Sequence, residues 1–258
     1  MDILTSKTDG LLTIQFNRPQ RKNAITSAMY QSMADALLDA ESDAAVRAVL
    51  FLGAPDIYTA GNDLEDFLKN APAAGENDAV RPVYQFMHAL SGCSKPVVAA
   101  VAGAAIGIGT TMLMHCDLVY AADNAKFSMP FVQLGLCPEF ASSVLLPAIA
   151  GYPRAAEKLL LGEAFLAPEA LQMGLVSKLL PPDELLAFAR HQAAKLVALP
   201  AASIRATKAL MKCPRAEQIA AALEAEITLF GAMLSAPEAK EAFTAFFEKR
   251  KPDFSTFA

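Results

Sequence analysis

Short apolar runs alternate with helix-period stretches up to about residue 182, and after it only helical pattern remains. The runs LLTIQF (11–16), VRAVLFL (46–52), PVVAAV (96–101), DLVYA (117–121) and KFS (126–128) are rich in β-branched residues and read as strands. Between them, residues 27–40 and 80–91 place apolar side chains at helical spacing, and Ser27 can cap the first of these helices. Strands alternating with helices define an α/β core. Beyond Pro182, residues 183–198, 201–211, 215–235 and 237–249 are Ala-rich and periodic, separated by Pro200, Pro214 and Pro237. A mixed core over 1–195 followed by a helical region over 196–258 is therefore expected. Residues 70–79 (NAPAAGENDA) are small and polar and read as a flexible surface excursion.

Composition narrows the class. Apolar residues make up 54% of the 258-residue chain and charged residues 19%. The longest apolar stretch, Pro96–Gly109, is too short for a bilayer span and contains three glycines. The excess of apolar residues then points to a soluble oligomer that buries surface between subunits. Net charge is −5 with Lys and Arg dispersed, so neither nucleic acid nor an anionic membrane is an expected partner. The four cysteines include no C-x-x-C pair, which leaves no disulfide framework or zinc site and suits a reducing, cytoplasmic setting. No secretory signal is visible at the N-terminus and no peroxisomal S-K-L at the C-terminus.

Motifs for dinucleotides, nucleoside triphosphates and serine hydrolysis are absent. Gly103, Gly107 and Gly109 form G-x-x-x-G-x-G rather than G-x-G-x-x-G. His88, His115 and His191 each sit alone on helical pattern and read as structural. Two glycine-containing loops stand out: Tyr58-Thr59-Ala60-Gly61-Asn62-Asp63-Leu64 after a strand, and Gly103 to Gly109 leading into a helix that starts near Ile108. Small residues let a ligand approach the backbone, and a helix start supplies unpaired N–H groups. Both loops are equally compatible with tight turns made for packing.

Five stretches in order resemble the crotonase (enoyl-CoA hydratase/isomerase) superfamily. They are NRPQRKNAI (17–25), YTAGNDLEDF (58–67), the long segment 95–139, LAPEALQMGLVSKLLP (166–181) and EAFTAFFEKRKPDF (241–254). The resemblance implies a spiral of β-β-α units and a C-terminal helical region that drives assembly as a trimer or a dimer of trimers. It implies acyl-CoA thioester substrates, as in fatty-acid β-oxidation, with no cofactor beyond the CoA of the substrate and no metal. Ala60 and Ile108 match the positions of the two backbone oxyanion donors. Lys22 and Ala24 match the loop that touches CoA, with Gly61, Asn62, Asp63 and Leu64 completing the site. Phe246 and Lys249 match the point where the last helix reaches CoA. Asp63 can also cap a helix beginning at Leu64.

The hydratases of this family use two glutamates, and the matching positions here hold Thr111 and Phe131, which line the pocket with Leu136. Neither can act as a carboxylate base. One carboxylate remains, Glu139, in a P-E-x-x-S-S pattern that together with G-N-D-L at 61–64 resembles the Δ3,Δ2-enoyl-CoA isomerases. One base suffices to move a proton from C2 to C4. Pro138-Glu139 is also an ordinary helix start, with the acid facing the helix dipole. Isomerisation of 3-enoyl-CoA is the expected activity. Hydration, and acyl-CoA binding with little catalysis, are the alternatives.

Overall fold

The computed structural model describes residues 1–69 and 81–257, apart from the side chain of Leu68. The excursion expected at 70–79 lies outside the described residues.

Strands numbered in chain order fall into two sheets. The larger has six in the order β1 (Ile3–Thr8), β2 (Leu11–Phe16), β3 (Ala48–Leu52), β5 (Val97–Val101), β7 (Leu118–Ala122) and β10 (Lys178–Leu180). The smaller has four: β4 (Ile57–Thr59), β6 (Ala104–Ile106), β8 (Lys126–Ser128) and β9 (Phe165–Leu166). All pairs are parallel except β1–β2 and β8–β9. From β3 to β8 each strand of the large sheet is followed by one of the small sheet, so the chain winds as a spiral. Gly103 shows how closely its turns stack. It has φ +63°, and a Cβ there would lie 1.7 Å from the carbonyl oxygen of Asp56, in the turn above.

Strands β3 and β5 are buried throughout, as strands covered on both faces must be. One face packs against α1 (Ser27–Ser42) and α3 (Pro82–Gly92), through Met33, Leu37, Phe86 and Leu90 among others. The other face carries Leu50, Leu52, Val98, Ala100 and Tyr120 under Leu185, Ala189 and Ala193 of α8 (Pro182–Ala198). Residue 195, where the mixed pattern was expected to end, falls within α8. Helices α9 (Ala201–Lys212), α10 (Ala216–Leu234) and α11 (Pro237–Phe247) then form the C-terminal helical region. Helices α2 (Leu64–Lys69), α4 (Ile108–Thr111), α5 (Ser142–Ala150), α6 (Tyr152–Leu161) and α7 (Ala167–Met173) complete the fold. Among the described residues no single helix is long and apolar enough to cross a membrane.

Two local expectations change. Thr26, not Ser27, caps α1: its hydroxyl accepts from the Met29 N–H at 3.3 Å. Ser27 instead gives its N–H and hydroxyl to Asp66 of α2, at 2.7 and 2.8 Å. Strand β1 carries no apolar run, being exposed everywhere but Ile3, and is held by backbone pairing to β2, by Ile3 in the core and by the Lys7–Asp43 ion pair.

Candidate active site

The two glycine loops leave neighbouring parallel strands. Thr59 at the end of β4 pairs with Ala105 of β6, so the segments that follow both strands emerge side by side. Gly61 makes their contact close: with φ +83°, a Cβ on it would sit 2.7 Å from the Ile106 carbonyl oxygen. Gly109 packs on Thr59 as tightly, with a hypothetical Cβ 2.4 Å from Cγ2. Gly107, at φ 56° and ψ −121°, turns the chain into α4 with open space beside it.

The segment 17–25 buttresses the first loop. Asn23, buried at φ +54°, donates to the carbonyls of Ile57 and Tyr58 at 3.2 and 3.1 Å and accepts from the Arg18 N–H at 2.8 Å. Ile25 N–H donates to the Gly61 carbonyl at 2.8 Å, and Asp63 N–H to that of Ile25 at 2.9 Å. These bonds decide which N–H groups stay open. Ala60 does not keep one: its N–H donates to the Lys22 carbonyl at 3.0 Å, which corrects its expected place as an oxyanion donor. Gly61 N–H goes to Thr59 Oγ1 at 3.1 Å. Asn62 N–H, next in line, has no acceptor among the described residues, and neither has that of Ile108, the first residue of α4. The side chain of Asn62 is anchored, accepting from the Tyr30 hydroxyl.

Asp63 is structural as well as close to the loop. One oxygen accepts from the N–H groups of Glu65 and Asp66, at 3.1 and 3.2 Å, and the other from Arg18 at 2.7 Å. Burial pushes its carboxyl up, but Arg18 and the α2 backbone outweigh that and hold it below the usual range. Leu64 opens α2 and packs on the core edge.

Glu139 is not at a helix start. Helix α5 begins at Ser142, whose N–H takes the main-chain carbonyl of Glu139, while the carboxyl is buried, 6% exposed. Its Oε1 accepts from the Thr111 hydroxyl at 3.3 Å. Thr111 ends the short helix that Ile108 begins, so the carboxyl faces the same element that offers the open N–H. Burial, reinforced by the charge of Glu226, pushes the Glu139 pKa up to about 8, against a small downward pull from Thr111. Phe131 and Leu136 are buried nearby, and Phe230 of α10 meets both Phe131 and Phe67 edge-on at 6.3 and 6.2 Å.

His115 packs, as expected from its isolation. It stacks on Phe140 at 4.0 Å, and its Nε2–H donates to the Phe140 carbonyl at 2.8 Å. Burial drives its pKa down to about 3, so it stays neutral.

Not every expected site residue gathers here. Lys22 and Ala24 lie on the buttressing segment, Lys22 exposed at φ +51° and Ala24 half-buried. Phe246 and Lys249 are exposed at the end of α11, and among the described residues no hydrogen bond or ion pair joins them to either loop. Two contributors carried no sequence signal, Tyr30 and Glu226; they sit on helices α1 and α10 at positions that pattern reads as ordinary helix.

Two backbone loops with open N–H groups beside a buried carboxyl, carried on a spiral of parallel strands, suit an enzyme that stabilises a developing oxyanion next to a general base. The chain belongs to the enoyl-CoA hydratase/isomerase family, whose model matches residues 6–256. It is 37% identical over 97% of its length to enoyl-CoA delta isomerase 2 of Rattus norvegicus, and spans 64% of that protein. It is 31% identical to 2,3-dehydroadipyl-CoA hydratase of Escherichia coli K12, covering 98% of both chains. The crystal structure of an enoyl-CoA hydratase/isomerase from Pseudoalteromonas atlantica T6c superposes with a TM-score of 0.93 at 38% identity, over 99% of this chain and 100% of that one. These relatives include both isomerases and hydratases, so the family and its acyl-CoA chemistry are common ground while the reaction is not.

Proposed function

We propose that the protein converts 3-enoyl-CoA to 2-trans-enoyl-CoA. The observation that carries this is the buried carboxyl of Glu139, tied to Thr111 on the helix that Ile108 opens. The thioester oxygen sits between the N–H groups of Asn62 and Ile108. They stabilise the negative charge that forms on it when C2 loses a proton. Glu139 takes that proton, the charge spreads over the dienolate, and the same carboxyl returns the proton to C4. A base near pH 8 is basic enough to accept the proton and acidic enough to give it back.

Hydration needs a second group to activate water. Thr111 and Phe131 supply no carboxylate, and the second carboxylate nearby, Glu226, has both oxygens engaged by Ala141 and Ser143. The same family likeness supports a trimer or a dimer of trimers, and the exposed Tyr152, Leu160, Leu161 and Leu166 offer apolar surface for such an assembly to cover.

The test is the purified protein with each substrate. With 3-enoyl-CoA, absorbance of the conjugated thioester should grow. With 2-enoyl-CoA it should stay. Rapid loss of absorbance from 2-enoyl-CoA, without any conjugation of 3-enoyl-CoA, would sink the isomerase assignment in favour of hydration. Binding without turnover of either would favour an acyl-CoA-binding role.

The pH dependence follows from the same carboxyl. Proton abstraction needs it ionised, so kcat/KM should rise about tenfold between pH 7 and pH 9 and level off above. A flat profile over that range contradicts a Glu139 base with a raised pKa.

A further inference from the structure

The turn that carries Glu139 is held from outside the spiral core. Phe140 and Ala141 both lie in the left-handed region, φ +59° and +55°, which residues with a side chain adopt at a cost. Neither is a glycine, so something must hold them. Glu226 of α10 does: its carboxylate accepts from the Ala141 N–H at 2.6 Å, from the Ser143 N–H at 3.1 Å and from the Ser143 hydroxyl. Ala141 and Ser143 flank the start of α5, so an acid from another helix serves as its cap. Burial pushes the Glu226 carboxyl above its usual range, and the Ser143 and Ala141 N–H groups, which can only donate, pull it back toward the carboxylate.

We propose that Glu226 is the positioning residue for the Glu139 proton shuttle, clamping the Phe140–Ala141 turn so that the Glu139 carboxyl stays buried against Thr111. This rests on Glu139 being the base. It also gives the C-terminal helical region a part in the chemistry, since α10 supplies the clamp. The charge of Glu226 has a second effect. Among the described residues, the ionisable groups around Glu139 are Tyr30 from α1, with Asp66 of α2 beyond it, His115 after α4, Cys137 on its own loop, and Glu226. Burial pushes the Tyr30 phenol up, the Cys137 thiol to about 11 and His115 down to about 3, so these three are neutral near pH 7. Asp66 is turned to Ser27. Glu226 is thus the charge that acts on Glu139 directly.

Three variants separate clamp from charge. Glu226→Asp keeps the charge but loses reach: kcat for 3-enoyl-CoA should fall about ten- to thirtyfold with KM little changed and the pH limb in place. Glu226→Gln removes the charge: a similar fall should come with the rising limb of kcat/KM moved to lower pH. Adding Ala141→Gly to Glu226→Asp should recover about tenfold, because glycine accepts a positive φ unaided. Circular dichroism and thermal melts accompany each variant. Wild-type kcat in both single variants overturns the proposal, as does loss without any rescue by Ala141→Gly. Failure of both variants to fold also overturns it, since Glu226 would then hold the chain rather than the carboxyl. Glu139→Gln in parallel keeps the two ideas apart: if it retains isomerisation, the base assignment fails whatever Glu226 does.

Discussion

Glu139→Gln is expected to lower kcat for 3-enoyl-CoA about a thousandfold while leaving KM near its wild-type value. The amide keeps the shape and can still accept from the Thr111 hydroxyl, but it cannot take a proton from C2. General acid/base groups typically contribute about a hundred- to ten-thousandfold. A residual rate would come from the Asn62 and Ile108 N–H groups, which stabilise the enolate without moving a proton. Stability should move the other way. The folded-state pKa of Glu139 is raised to about 8 from 4.5, so the folded protein keeps a proton there that the unfolded chain releases. Wild-type stability from this group is therefore full below about pH 4.5 and is lost as pH rises through 8. Glu139→Gln has no such loss, and above pH 8 it should be more stable than wild type by several kcal/mol. Full isomerase activity in this variant, or a melting curve whose pH dependence matches wild type, would rule out Glu139 as the buried base.

Gly61→Ala should cost about a hundred- to a thousandfold in kcat, the range associated with losing one oxyanion donor. The new Cβ would lie 2.7 Å from the Ile106 carbonyl oxygen, which is backbone and cannot rotate away. Alanine at φ +83° is strained as well. The loop must lift off Ile106–Gly107, carrying the Asn62 N–H away from that of Ile108, and the oxygen between them loses one partner. Because the strands beneath are buried and paired, the fold should survive, with unfolding free energy reduced by about 1–3 kcal/mol. The decisive measurement is kcat with 3-enoyl-CoA alongside a thermal melt. A folded Gly61→Ala protein with wild-type kcat would show that the spacing of the two loops does not matter to the reaction.

Much of this architecture is legible in the chain. The strands at 11–16, 97–101, 118–122 and 126–128 and the four C-terminal helices lie within a few residues of where hydrophobic period and proline punctuation put them. Burial on both faces leaves continuous apolar runs, and helices start and stop at proline, so both signals are local. Strands β4 and β6 escaped because IYT and AAI are short and lie inside stretches whose glycines read as loop, and β1 because it is polar. Such strands exist through pairing with neighbours, which no local pattern records. Glu139 could be singled out as a carboxyl, but Pro138-Glu139 reads equally as a helix start. Only the position of α5 and the contact with Thr111 separate the two.

The backbone donors mark the boundary most clearly. Small residues at 60–62 and 107–109 already say that a ligand can reach the main chain there. Which N–H remains open depends on the carbonyls that other segments bring. Lys22, thirty-odd residues away, takes the one on Ala60 and leaves that of Asn62. The acidity of Glu139 is decided in the same way, by burial and by Glu226 from a helix near the far end of the chain. Composition and local pattern determine which elements form and which side chains have the chemistry. Hydrogen-bond partners and solvation are set by what folds against them, and for this protein only the tertiary structure supplies those.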